Sequence, residues 1–189
     1  MEIVDDIYKI SGEGNVFVIL KPTPIVIDTG NPTDKRRIKK EIEMIVPLEE
    51  IKTVILTHLH YDHSGNIDLF PNAKIYADEE EIEDFNENKN LFFFYNNSEI
   101  VDILKRKLEP LPKVLNGLKI LKVPGHTRGS VAILDEKRKI VFSGDTVFQN
   151  GIGRTDFANS APEKMYDSVD KISKLIREKN YLLCPGHDY

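Results

Sequence analysis

The residues in this 189-residue chain best suited to chemistry are its five histidines. His58, His60 and His63 fall within six residues, in Thr57-His58-Leu59-His60-Tyr61-Asp62-His63, while His126 follows Pro124-Gly125 and His187 follows Pro185-Gly186. Each group comes directly after a stretch that reads as a buried strand, and so at a strand end, where a rigid scaffold presents functional loops. Neutral imidazole is a common metal ligand, and zinc ligands converge to about 2.0–2.2 Å of the ion. His58 and His60 are two apart on an extended segment and can point the same way. A turn at Asp62-His63 can direct two more donors to a second point nearby. Asp145 closes an apolar stretch in Phe142-Ser143-Gly144-Asp145-Thr146, where a carboxylate can bridge two ions. Seven candidate ligands are too many for one tetrahedral ion, but two ions with a bridging carboxylate and water can use them. Taken singly, a histidine after Pro-Gly reads as a turn residue and Asp145 as a strand-end cap; their company favours ligation.

The elements that must position these groups are short. Ile3–Val4, Ile7–Ile10, Val16–Leu20 and Ile25–Asp28 are β-branched stretches broken by Gly12, Gly14 and Pro24, as in antiparallel strands joined by turns. Asn31-Pro32-Thr33-Asp34 is a helix start, with Ile38, Ile42 and Ile45 following at helical spacing. Lys52–Thr57 is a buried strand that runs straight into the histidine cluster, and Ala73–Ala77 is another strand. Asp78 to Leu108 predicts two helices with a mobile stretch at Glu87–Asn97 between them. Leu118–Val123, Val131–Asp135 and Lys139–Asp145 read as strands. Pro162 to Lys179 predicts an amphipathic helix with Met165, Val169, Ile172 and Ile176 on one face, and Tyr181–Cys184 a last strand. This order suits two sheets packed face to face with helices outside, a four-layer α/β arrangement that periodicity alone does not separate from an ordinary α/β sandwich.

Length predicts one domain, residues 1–189, carrying a helical and aromatic insertion at about 78–112. Apolar residues at 40% and charged residues at 30% describe a soluble globular chain. The charge sum, 26 − 31 = −5, argues against non-specific binding to nucleic acid or anionic lipid. A lone Cys184 excludes an intramolecular disulfide framework. No apolar run approaches the ~18–20 residues of a membrane span, and the acidic N-terminus MEIVDDIYKI lacks the basic region of a signal peptide. The expected location is the cytoplasm.

Thr57–His63, Gly125-His126-Thr127, Gly144-Asp145-Thr146 and Pro185-Gly186-His187 together resemble the ordered motifs of the metallo-β-lactamase-fold hydrolases, from Ile25-Val26-Ile27-Asp28-Thr29-Gly30 to the terminus. The resemblance implies an αββα sandwich with a dinuclear site in its cleft. His58, His60 and His126 would hold one ion, Asp62, His63 and His187 the other, and Asp145 would bridge. Zinc is the ion it implies first, with iron or a mixed zinc and iron pair as alternatives. Asp28 matches a supporting position in the family, and its simpler reading is a turn aspartate capping its own backbone. Gly144–Phe148 followed by Gly151-Ile152-Gly153-Arg154-Thr155-Asp156-Phe157 looks most like the glyoxalase II-like branch, which includes hydroxyacylglutathione hydrolases and persulfide dioxygenases. Arg154 falls where relatives place a basic residue for the carboxylate of a thiol substrate; a surface ion pair with Asp156 is the equal alternative. Glyoxalase II proper carries a C-terminal helical extension that binds glutathione, whereas this chain stops two residues after His187.

The expected activity is therefore metal-dependent hydrolysis of a small thioester or ester, with Asp62 both ligating and orienting the nucleophile. The rival is a mononuclear iron oxygenase acting on a persulfide through His58, His126 and Asp145, a two-His-one-carboxylate set. A phosphodiesterase is third, weakened by the acidic balance; Lys105-Arg106-Lys107 reads as a solvated helix face. The expected partner is a small molecule, with no nucleic acid and no membrane. Phe92, Phe93, Phe94 and Tyr95, within the segment 86–97, suggest a lid over an apolar substrate, a homodimer patch or ordinary packing.

Overall fold

The computed structural model describes residues 1–93 and 97–189. The first sheet takes seven strands in sequence order: β1 (Glu2–Val4), β2 (Ile7–Ile10), β3 (Val16–Ile19), β4 (Ile25–Ile27), β5 (Thr53–Ile55), β6 (Lys74–Ala77) and β7 (Leu108–Pro110). Pairing is antiparallel through β4 and parallel from β4 to β7. Helix α1 (Lys35–Glu43) crosses from β4 to β5, the single turn α2 (Tyr61–Ser64) follows β5, and α3 (Glu79–Glu87) and α4 (Ser98–Lys107) join β6 to β7. The second sheet gathers β8 (Val114–Leu115), β9 (Leu118–Lys122), β10 (Val131–Asp135), β11 (Ile140–Gly144) and β14 (Leu182–Pro185), with β14 parallel to β11 on one edge. A small hairpin, β12 (Val147–Phe148) with β13 (Gly151–Ile152), and helix α5 (Pro162–Lys179) separate β11 from β14.

Alternation along the strands explains the layers. Phe17, Ile19, Ile25, Ile27 and Ile55 point from the first sheet toward Ile133, Ile140, Phe142 and Cys184 of the second, forming the inter-sheet core. The intervening residues Val16, Val18, Val26 and Val54 face the other way, onto Ile38 and Ile42 of α1, Phe85 of α3 and Val101 and Leu104 of α4. On the far side, Ala132, Leu134 and Val141 receive Ile172 of α5, with Val169 and Ile176 alongside. Strands covered on both faces read as continuous apolar runs rather than alternating ones. The result is the expected αββα sandwich.

Two local expectations change. Helix α1 ends at Glu43, so Ile45 lies just beyond it in the turn that leads to Pro47. The stretch from Glu87 to Asn97, expected to be mobile, contains a 3-10 turn at Lys89–Phe92 whose Phe92 is fully buried on Phe85. Phe94 and Tyr95, invoked for a lid or a homodimer patch, lie outside the described residues. Among the described residues no helix is long and apolar enough to cross a membrane.

Candidate metal centre

Four loops deliver the candidate ligands to one end of the sandwich. His58 and His60 lie on the chain leaving β5, and α2 carries Asp62 and His63. His126 sits between β9 and β10, Asp145 directly after β11 and His187 directly after β14. All five imidazoles are buried, as is Asp145, whereas the Asp62 side chain is 33% exposed and is the most open member. His58, His60 and His126 bring one donor atom each within 4.8 Å of one another; so do Asp62, His63 and His187, and so do His58, His63 and Asp145. His60 Nδ1 is 2.9 Å from His126 Nε2, and His63 Nε2 is 3.2 Å from His187 Nε2. Asp145 spans both groups: Oδ2 lies 3.5 Å from His126 Nε2 and 3.2 Å from His187 Nε2, and Oδ1 lies 3.2 Å from His63 Nε2. The structure thus brings all seven predicted ligands together.

The hydrogen bonds fix the ring tautomers. His63 Nδ1–H donates to Asp28 Oδ2 at 2.9 Å, and His126 Nδ1–H to the Arg154 carbonyl at 2.8 Å. Thr57 donates its hydroxyl to Asp28 Oδ2 at 2.8 Å, so that hydroxyl accepts from His58 Nδ1–H at 3.1 Å. Each of these three rings therefore turns Nε2 inward. Asp28 does not cap its own turn, as the sequence reading had it. Its Oδ1 accepts the Thr57 N–H at 2.8 Å, because β4 pairs in parallel with β5 and sets the end of one strand against the end of the other.

Electrostatics divides the cluster in two. Burial, reinforced by neighbouring imidazoles, drives His58 well below the usual histidine value and His60 to about 3; burial also lowers His126. These three are neutral and ready to donate lone pairs. Burial acts the same way on His63 and His187, but the carboxylates prevail. Asp145, Asp62 and Asp28 hold His63 well above its usual value, and hydrogen bonds to Asp145 and Asp62 raise His187 to about 9. Against the effect of burial, His63 and His187 in turn keep Asp145 well below the carboxylate range and lower Asp62.

The residues fit a pair of divalent cations. The buried His58 Nε2 has no hydrogen-bond partner, an arrangement costing about 1–3 kcal/mol unless something accepts its lone pair. Two adjacent carboxylates and inward-facing imidazole nitrogens form a nitrogen and oxygen donor set suited to zinc or iron.

Two groups missed in the sequence hold these loops. Asn15 is buried and gives its amide to the Pro185 carbonyl at 3.0 Å and to Asp188 Oδ1 at 3.1 Å, while its N–H bonds the Gly186 carbonyl at 2.8 Å, steadying the turn that carries His187. Glu81, on α3, accepts the N–H of Leu59 at 2.8 Å and that of Gly129 at 3.2 Å, and burial pushes its carboxyl up to about 7 against those bonds and one from Thr127. Its four-residue spacing from the apolar Phe85 was the available signal that Glu81 faces inward.

The centre opens into a cleft of about 600 Å³. Phe93, Phe148, Ile152, Phe157 and Tyr189 contribute apolar walls. Phe157 meets His60 and His126 edge-on with ring centroids at 5.1 and 5.4 Å, and Tyr189 stacks on His187 at 5.0 Å. Arg154 reaches the rim, but its guanidinium forms two bonds with Asp156, at 2.9 and 2.8 Å, and lies over the Phe157 ring. The ion-pair alternative describes the Arg154 side chain as it stands.

A double-sheet sandwich with a cluster of five histidines and two aspartates at its mouth defines a class of metal-binding α/β protein. Residues 12–187 match the family model of the metallo-beta-lactamase superfamily, and the chain belongs to that superfamily. A protein of Streptococcus pyogenes named as a probable metallo-hydrolase is 29% identical, over 99% of this chain and 84% of its own. A hydroxyacylglutathione hydrolase of Francisella philomiragia is 31% identical over 74% of this chain, and the match spans 50% of that enzyme. Among solved structures, TTHA1623 in a di-iron-bound form superposes with a TM-score of 0.69 at 25% identity, covering 96% of this chain and 92% of that one.

Proposed function

We propose that this chain is a metal-dependent hydrolase of small thioesters or esters, carrying two divalent ions of which zinc is the expected identity. One observation carries the reading: seven ligand-type side chains form two adjoining donor groups, spanned by Asp145, at the floor of a cleft with apolar walls. His58, His60 and His126 would hold one ion and Asp62, His63 and His187 the other. Ions so held would supply hydroxide near neutral pH and would polarise a substrate carbonyl.

The chain's own groups do the rest. Asp62, kept anionic by His63 and His187 and the most open of the seven, accepts a hydrogen bond from the attacking oxygen and aims it into the cleft. Phe157, Phe148 and Ile152 take the apolar part of the substrate and thin the water around the carbonyl. A thiolate leaving group needs little protonation, which suits a cleft whose buried histidines are either neutral or paired with carboxylates. The partner is a small molecule. Arg154 is the one Lys or Arg among the described cleft residues and is already paired, which disfavours a phosphodiester polyanion.

The test is elemental analysis of protein purified without added metal, alongside thioester hydrolysis before and after dialysis against a chelator. About two zincs per chain, with activity lost on chelation and restored by zinc, is the expected result. About one iron per chain with sulfide-dependent oxygen uptake would replace this reading with the persulfide oxygenase. Thioesterase activity indifferent to chelation would overturn both.

A further inference from the structure

Two of the ligand-bearing loops belong to different sheets, and something other than an ion must set their spacing if the site exists before loading. Glu81 is fully buried, on the first turn of α3, between these loops. Its Oε2 accepts the N–H of Leu59, the residue between His58 and His60, at 2.8 Å. Its Oε1 accepts the N–H of Gly129, three residues after His126, at 3.2 Å. The Thr127 hydroxyl donates to the same carboxylate and is itself 2.7 Å from Ser130 Oγ. The approach is close: a Cβ at Gly129 would stand 2.6 Å from the Glu81 nitrogen and 2.7 Å from its Cγ, so only glycine lets the loop reach the carboxylate. One turn later on α3, Asp84 pairs with Arg128 at 2.9 Å and holds the same loop through a side chain rather than through its backbone.

We propose that Glu81 is a positioning residue that sets the distance between His58 and His60 on one loop and His126 on the other, so that their three nitrogens face one another before an ion arrives. This inference rests on the metal-centre reading and adds a residue that touches neither ion nor substrate. A carboxylate suits the task because its two oxygens accept from both backbones at once. A glutamine keeps the shape but offers one acceptor oxygen, its amide group turning two N–H donors toward a backbone donor.

The test compares the wild-type chain with Glu81→Gln and with Asp84→Asn, the latter altering the other α3 contact to the loop. Zinc affinity is measured by competition with a chromophoric chelator, the cobalt(II) absorption spectrum reports coordination, and melting in chelator reports the metal-free fold. Expected is a loss of about tenfold or more in affinity for one of the two ions, and an altered cobalt spectrum, in Glu81→Gln alone, with its metal-free melting temperature close to that of Asp84→Asn. Unchanged affinity and spectrum would overturn the proposal, as would equal losses in both variants, which would mean that α3 merely docks the loop. A wild-type chain that binds no zinc or cobalt would instead overturn the metal-centre reading beneath it. Should Glu81→Gln fail to fold, amide hydrogen exchange of the metal-free wild type decides. Protected Leu59 and Gly129 amides support the clamp, and freely exchanging ones overturn it.

Discussion

Asp28 Oδ2 receives hydrogen bonds from both the His63 ring and the Thr57 hydroxyl, and through that hydroxyl it orients His58 as well. One carboxylate therefore orients a histidine in each donor group. Replacing it with asparagine keeps the volume but presents an N–H to at least one donor. Asp28→Asn is expected to weaken both ions by about 10–100-fold. Thr57→Val, which cuts only the relay to His58, is expected to weaken one ion and spare the other. Zinc titration with two-site resolution checks both.

Protonation of the metal-free site predicts how loading depends on pH. His63 and His187 carry protons at neutral pH, the latter up to about 9, and ligands must be deprotonated to bind. Loading at pH 7 should release roughly two protons from these two ligands, in addition to any lost by bound water, and affinity should rise as pH is raised toward 9. Calorimetry in buffers of different ionisation enthalpy counts those protons, and a release near zero would contradict the assignment.

The same raised values bear on stability without metal. A histidine whose folded pKa exceeds its unfolded value contributes stability that is full below about 6.5 and lost as pH rises through the folded value. Metal-free protein is therefore expected to melt progressively lower between pH 6.5 and 9, while metal-loaded protein, whose His63 and His187 no longer titrate there, should not follow. Paired melting curves across that range check this.

Gly186 leaves no room for a side chain: a Cβ there would lie 2.2 Å from Asp145 Oδ1 and 2.8 Å from His63 Cε1. Gly186→Ala must displace a spanning carboxylate or a ligand ring. We expect loss of at least one ion per chain and a destabilisation of about 1–3 kcal/mol, read by metal analysis and denaturant unfolding.

Ile152 is 53% exposed at the cleft rim. Ile152→Ser should raise KM for substrates with a long apolar group by about fivefold, near 1 kcal/mol of lost burial, and leave kcat and the KM for acetyl thioesters unchanged. Steady-state kinetics on a chain-length series checks it.

The ligands were legible in the sequence because each sits at the end of a strand whose apolar run announces it. Two-residue spacing on extended chain gives the common direction of His58 and His60 without tertiary knowledge. Asp28 was misread because its partner is brought by the parallel pairing of β4 with β5, a contact 29 residues away along the chain. Glu81 stood hidden in Asp78-Glu79-Glu80-Glu81, an acidic run that looks like a solvated helix start until Phe85 fixes which face is inward. The strands β7, β8, β12 and β13 are two or three residues long, too short for periodicity to speak.

His58, His60, Asp62 and His63 hang from the first sheet, whereas His126, Asp145 and His187 hang from the second. Ions held by both sets would rivet the two halves across their seam. Metallation would then act as a checkpoint on assembly: a chain whose halves had not yet met would offer only the four first-sheet ligands, and tight loading would report that the sandwich had closed.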